Sequence, residues 1–413
     1  MKTKLPEIIL PGGDLERVKV AIDYGADAVY LGLDKHSLRK TEIRFDIQKI
    51  KQAIEYAHER GKRIFVTFNI FAHNQQLSDI EKDLDEVAKL NPDAFIISDP
   101  GIINIAKKVA SDVPIHLSTQ ANTTNYESVK FWYKQGVKRI VLARELSLEE
   151  IRQIHEKVPE MELEVFVHGS MCISYSGRCL LSGYMTGRNA NLGECAQPCR
   201  WNYNLYAEEK LRPGELFPIK ENENGTSIFS SKDLRLIRYL PELVEAGVTG
   251  LKIEGRNKSE FYVATAAHAY RNALDLIEKN NYTNKQKDIF EEELEKLNYR
   301  DYTTGFIFGD ALKGQTYPYR VPIRKWNYLG KIIEIIRLEK NKHLYSISVN
   351  NKICKNDEIE ILTPERIYLD KVIEIFDMNN NKLSEVNPGK TDQKAIIALS
   401  KELPAGSFLR KKI

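Results

Sequence analysis

The sequence predicts an α/β protein: a (β/α)8 TIM-like barrel with a long cysteine-bearing loop after strand seven, followed by a small C-terminal all-β barrel domain. Three observations predict it. Up to about residue 275, eight short apolar runs alternate with amphipathic stretches, the count of a closed barrel. About 60 residues separate the seventh run from the next helical pattern, a length that connections reach chiefly when they carry function. Beyond about residue 319, strand-like runs follow one another, broken by Asn, Asp, Gly and Pro.

The runs at 8–11, 28–33, 63–69, 94–98, 115–118, 139–143, 163–168 and 250–254 read as strands. Between them DLERVKVAIDYG, FDIQKIKQAIEYAHERG, SDIEKDLDEVAKLN and SLEEIRQIHEKV repeat apolar residues at helical spacing. Three of these helical patterns close on Gly25, Gly61 and Asn91, residues that accept the left-handed C-cap conformation. PGGD after the first strand is a tight turn without a Gly-rich phosphate loop, which argues against a doubly wound dinucleotide fold. KDLRLIRYLPELVEAG reads as the helix before strand eight. The organisation that follows is a barrel over 1–275 with a cysteine loop at 168–202, a helical and linker segment at 276–318, and a β domain at 319–413.

Composition is that of a soluble globular protein, 42% hydrophobic and 29% charged. No apolar stretch approaches the roughly 20 residues of a membrane span, and the N-terminus lacks a signal-peptide pattern. The expectation is a cytoplasmic protein whose cysteines are reduced. Net charge is only +3, but 18 Lys/Arg face 12 Asp/Glu from Tyr319 onward, leaving the preceding chain at −3. Such an appendage suits RNA contact or simply a solvated lysine surface.

Four of the five cysteines, Cys172, Cys179, Cys195 and Cys199, fall within 28 positions at spacing C-x6-C-x15-C-x3-C. In a reducing compartment this pattern gathers thiolates around a soft metal centre, either a structural zinc or an iron–sulfur cluster. Cys354 stands alone and reads as a semi-buried thiol. Alternation along a strand puts residues two apart on one face. Glu164, Phe166 and His168 therefore share a face of strand seven, and Lys252 and Glu254 share one on strand eight, with Arg256 just beyond. Thr67 with Asn69, and His116 with Ser118 and Gln120, do the same on strands three and five. These faces are expected to line the barrel mouth, with His168, Glu164, Lys252 and Glu254 as candidate acid, base or positioning groups. A buried salt bridge between Lys252 and Glu164 or Glu254 is the alternative.

The runs LEVFVHGSMCISYSGRCLLSGY, NLGECAQPCRW, SSKDL and LKIEGRNKSEFYVATAAHAYRNALD resemble the U-thirty-two, or collagenase-like, peptidase family over most of 5–275. The layout is similar to the branch that hydroxylates the wobble uridine of tRNA at its 5-position. That resemblance implies a 4Fe-4S cluster held by Cys172, Cys179, Cys195 and Cys199, with prephenate as co-substrate and tRNA as partner. Sister branches act on a ribosomal-RNA cytidine or serve ubiquinone hydroxylation, and the old family label implies a hydrolase. His168 matches the family's histidine, and Lys252, Glu254 and Arg256 match its KIEGR motif. Prephenate's carboxylates call for guanidinium groups, for which Arg39, Arg144, Arg178 and Arg256 are candidates. Asn69 and Gln120 complete the substrate-binding set, and Tyr175, Tyr184 or Trp201 can serve as a stacking platform for an extruded base.

Overall fold

The computed structural model describes residues 5–37, 45–171, 179–188, 190, 194–201, 205–208, 210–211, 213–214, 216–219, 232–309, 323–339, 342–389 and 393–413. The barrel strands are β1 (Glu7–Pro11), β2 (Ala28–Leu31), β3 (Arg63–Phe68), β4 (Ala94–Ile97), β5 (Ile115–Leu117), β6 (Arg139–Val141) and β7 (Glu162–Ser170). After β7 the chain forms a hairpin of β8 (Leu205–Glu208) and β9 (Leu216–Ile219), then β10 (Asp233–Arg235), and supplies the eighth barrel strand as β11 (Gly250–Ile253). Each barrel strand pairs in parallel with the next, and β11 pairs with both β1 and β7, which closes the cylinder.

The surrounding helices are α1 (Leu15–Asp23), α2 (Ile47–His58), α3 (Leu77–Ala88), α4 (Pro100–Val109), α5 (Tyr126–Lys134) and α6 (Leu148–Lys157), with the short α7 (Leu181–Thr186) in the cysteine segment. After it come α8 (Leu240–Glu245), α9 (Glu260–Glu278) and α10 (Asn284–Leu294). Asp14, Asp46, Asp99, Asn125, Ser147 and Ser259 cap their helices by accepting backbone N–H groups, the local signal that starts each one. Gly25, Gly61 and Asn91 adopt positive φ just past α1, α2 and α3, as their residue types predict. No helix among the described residues is long and apolar enough to cross a membrane.

Two differences from the sequence reading matter for the site. The stretch read as one helix before strand eight is instead β10, which runs antiparallel to the end of β7, then a 3-10 turn and the short α8. The helical stretch expected after Glu278 holds α10, whereas the stretch read as linker holds β12 (Tyr302–Thr303), which pairs with β10. Strand propensity in Asp233–Arg235 is weak; pairing with an extended β7 decides its conformation.

Apolar side chains divide by strand face. Ile9, Ala28, Tyr30, Phe65, Ala94 and Ile96 fill the barrel interior, while the alternate residues pack beneath the helices. Below this plug an ionic layer, buried at Arg139 and Glu164 and open to solvent at its edge, links Glu7, Arg63, Arg139, Glu162 and Glu164.

The C-terminal domain comprises β13 (Trp326–Arg337), β14 (His343–Val349), β15 (Ile353–Cys354), β16 (Glu358–Leu362), β17 (Ile367–Lys371), β18 (Glu374–Phe376), β19 (Lys382–Leu383), β20 (Glu385–Val386), β21 (Lys394–Leu399) and β22 (Phe408–Lys412). Eight of these form an antiparallel sheet in the order β17-β16-β22-β13-β14-β21-β18-β19, a half-barrel around its own apolar core. It docks on the barrel through stacked Phe261 and Tyr328, whose rings lie 5.0 Å apart. Beside them the fully buried Arg410 bonds Glu293 of α10 at 2.9 Å and Glu360 at 2.7 Å. Several lysines of the excess positive charge are committed to carboxylates, among them Lys331 to Glu260, Lys352 to Glu385 and Lys411 to Asp357.

Candidate active site at the barrel mouth

A cavity of about 490 Å³ opens at the C-terminal ends of the barrel strands. Every barrel strand except β1 contributes to its lining, either directly or through the loop that follows. Asn69 follows β3, Gln120 follows β5, Arg144 follows β6, Phe166 and Ser170 lie on β7, and Lys252, Glu254 and Arg256 lie on or just past β11. The cysteine segment returns over the same opening, so Cys179, Cys195 and Cys199 also line it, all half-buried. Ser182 of α7 holds that segment in place: its hydroxyl accepts from the backbone N–H of Ala196 at 3.0 Å.

The Lys252 ammonium bonds Glu164 at 2.6 Å and lies 4.3 Å from the centre of the Tyr30 ring. Burial pulls its pKa below the usual lysine value, and Glu164 offsets part of that. Glu164 is wholly buried, with Arg139 3.6 Å from its other oxygen, and it does not line the cavity. The expected salt bridge is therefore present, and Glu164 acts on the cavity only through Lys252. Arg144 lays its guanidinium over Phe166 at 3.7 Å from the ring centre. Among the described residues it has no carboxylate partner, which leaves its donors for a ligand. Arg256 lines the same wall and its guanidinium approaches the Ser37 hydroxyl at 3.4 Å. The backbone of Arg256 passes so close to the β1–α1 turn that a Cβ on Gly13 would lie 2.2 Å from its carbonyl oxygen. The PGGD turn is thus a packing requirement of the KIEGR loop.

His168 departs from its expected orientation. A bulge between β7 and β11 shifts the register at His168, and Gly169 follows at φ +103. The imidazole turns away from the mouth into a layer of tyrosines, 5.8 Å from the rings of Tyr262, Tyr270 and Tyr302. It does not line the cavity, and its Nδ1 has no hydrogen-bond partner among the described residues. Burial, with Arg235 and Lys258 nearby, pushes its pKa down to about 3, so the ring is neutral. His116 likewise sits one layer below the mouth against Phe65, 4.7 Å between ring centres, while Ser118 and Gln120 reach the cavity.

Cys172, Arg39, Arg178 and Tyr175 lie outside the described residues. Among the described residues no three His, Cys, Asp or Glu side chains stand together as a metal-ion site. Three soft sulfur donors on one cavity nonetheless form a chemically suitable partial set for an iron–sulfur cluster. Tyr184 and Trp201 are exposed on the cysteine segment, as a stacking platform requires. The sequence reading missed Tyr30, Asp233, Lys258, Tyr299 and Arg300, which also line the mouth. The last two arrive from the stretch read as linker, and no local motif marks them.

A closed (β/α)8 barrel with convergent cationic, amide, carboxylate and thiol groups at its C-terminal face belongs to the class of barrel enzymes. The family is specific. Residues 13–316 match the model of peptidase family U32 and residues 324–410 that of the family's C-terminal domain, and the chain belongs to this family. It is 39% identical to tRNA hydroxylation protein P of Escherichia coli, over 87% of this chain and 86% of that one. It is 37% identical to tRNA hydroxylation protein P of Helicobacter pylori, over 98% and 99%. It is also 31% identical to the 23S rRNA 5-hydroxycytidine synthase of Escherichia coli, over 87% of this chain and 53% of that one.

Proposed function

We propose that this protein is an RNA-modifying enzyme that hydroxylates carbon 5 of the wobble uridine in tRNA, with prephenate as co-substrate. The observation that carries this reading is the convergence of three cysteines with Arg144, Arg256 and the strand-end amides on one cavity, in a chain similar along nearly its full length to tRNA hydroxylation proteins. Cys172, Cys179, Cys195 and Cys199 would hold a 4Fe-4S cluster, which supplies electron transfer when bound, since four thiolates leave no open iron position.

The chain's own residues divide the remaining work. Arg144, stacked on Phe166, and Arg256 supply forked donors for the carboxylates of a small dianion. Lys252, held in place by Glu164, adds positive charge at the floor. Glu254, a carboxylate on the wall, would accept or return a proton at the reacting carbon. Phe166 and Tyr30 give the cavity an apolar floor that excludes water and suits a planar base.

Two measurements test the proposal together. Protein purified without oxygen should contain about four irons and four sulfides per chain, lost on Cys179→Ala or Cys195→Ala. The chain should restore 5-hydroxyuridine to the tRNA of a strain lacking this modification. Zinc near one per chain without sulfide, or tRNA nucleosides unchanged by expression, would overturn it.

A further inference from the structure

We propose that Lys252 is a nucleophilic amine that forms an imine with the keto carbon of a 2-oxo acid whose carboxylate rests on Arg144. The inference rests on the proposed function and assigns a covalent step to its co-substrate, because prephenate carries a 2-oxo carboxylate side chain beside its ring carboxylate. Lys252 sits on β11 and lines the cavity, although it is only 5% exposed. Its ammonium nitrogen lies 4.3 Å from the centre of the Tyr30 ring and 5.8 Å from that of Phe166, and both rings line the cavity. On its other side Glu164, wholly buried and outside the cavity, accepts its hydrogen bond at 2.6 Å. The amine thus stands between a buried base and the ligand space. A pair that served packing alone would gain little, since burying two charges costs about what their attraction returns. A buried amine at a cavity floor is instead the setting that makes lysine a nucleophile. Burial draws the Lys252 pKa below the usual lysine value, Glu164 opposes that, and Arg139 and Arg144 add to the decrease.

Arg144 covers the same Phe166 ring, its guanidinium 3.7 Å from the ring centre. Guanidinium and amine therefore share one aromatic surface, as suits a 2-oxo acid, whose carboxylate and keto carbons are directly bonded. The step balances without a further reactant. Glu164 takes one proton from the Lys252 ammonium, and the neutral amine attacks the keto carbon. The carbon–nitrogen bond forms, the keto oxygen leaves as water, and Glu164 returns its proton. Of the ammonium protons, one stays on the iminium nitrogen and two depart in the water, with no oxidation or reduction. The second Glu164 oxygen makes no hydrogen bond among the described residues, so Lys252 is the group with which this carboxylate exchanges a proton. The cationic nitrogen then draws electron density from the neighbouring carbons of the bound acid.

The test incubates the full-length protein, purified without oxygen, with prephenate and sodium cyanoborohydride, which reduces an imine to a stable amine. Intact mass should rise by one prephenate less one oxygen, and peptide mapping should place the addition on Lys252. Lys252→Arg keeps the positive charge at the floor and should lose the adduct. Arg144→Gln should raise the prephenate concentration for half-maximal trapping by about tenfold or more, as loss of a charge-assisted contact does. Melting temperatures show which variants fold; if Lys252→Arg does not, the mapped wild-type adduct decides alone. No wild-type adduct, an adduct spread over exposed lysines without preference for Lys252, or full trapping in a folded Lys252→Arg overturns the imine. An unchanged half-maximal concentration in Arg144→Gln overturns the placement of the carboxylate. A wild type that restores 5-hydroxyuridine yet forms no adduct overturns the imine alone. An adduct on Lys252 in a chain that restores no 5-hydroxyuridine overturns the proposed function and keeps the imine.

Discussion

Replacing Glu164 by Gln isolates the buried charge pair beneath the cavity. Glu164 is fully buried, Lys252 is 5% exposed, and their 2.6 Å contact is the only ion pair of Lys252 among the described residues. Glutamine preserves shape and removes the counter-charge, leaving a buried ammonium with the Arg139 guanidinium nearby. Breaking a buried pair from one side costs about 3–5 kcal/mol, roughly two to four orders of magnitude in the unfolding equilibrium. The pH dependence has a definite sign. Lys252 already has a folded-state pKa below its ordinary 10.5 because of burial, so between those two values the unfolded chain binds more protons and stability rises with pH. Without Glu164 the folded value falls further and that interval widens. The deficit of the variant should therefore be largest at neutral pH and shrink as pH climbs toward about 10. Denaturant titrations of both proteins from pH 6 to 10 read this directly. Adding Lys252→Met to Glu164→Gln removes both charges and should recover most of the loss, because Arg139 keeps Glu7 and Glu162. A deficit under about 1 kcal/mol at neutral pH, one independent of pH, or no recovery in the double variant would refute the argument.

Two further outcomes follow from the same structure. His168 is held at a pKa of about 3, below its unfolded value, so its contribution to stability is lost as pH falls from about 6.5 toward 3, by at most about 1.4 kcal/mol per pH unit. His168→Phe should flatten that acid limb in melts recorded from pH 7 to 4, and an unchanged limb would count against the neutral-ring assignment. Arg410→Met strands Glu293 and Glu360 with Lys296 as their remaining cation, at 3.0 and 2.7 Å, and should destabilise domain docking by about 3–5 kcal/mol. Burial alone would raise the Glu293 pKa, but Arg410 and Lys296 bring it below the usual value. The variant should therefore lose stability at a higher pH on acidification, which limited proteolysis across the domain junction would report.

The barrel was legible because its strands are short apolar runs set between helices that carry their own start and stop signals. The predicted 94–98 and observed Ala94–Ile97 differ by one residue, and Asp46, Ser147 and Ser259 cap the helices that follow them. Cysteine clustering was equally local, and the structure brings Cys179, Cys195 and Cys199 to the mouth where Asn69, Gln120, Arg144, Lys252, Glu254 and Arg256 were expected.

His168 was not legible in the same way. Alternation assigns a face only while pairing stays in register, and one bulged residue sends the next side chain to the opposite side. That bulge depends on how β7 meets β11 and β10, segments some 80 and 65 residues further along the chain, so nothing near His168 records it. The same holds for Tyr299 and Arg300, which reach the mouth because β12 pairs with β10. Periodicity, caps and thiol spacing are properties of neighbouring residues and can be read along the chain. Which side chains face the cavity, and which lysine is held by which carboxylate, depends on pairing between distant segments and exists only once the barrel has closed.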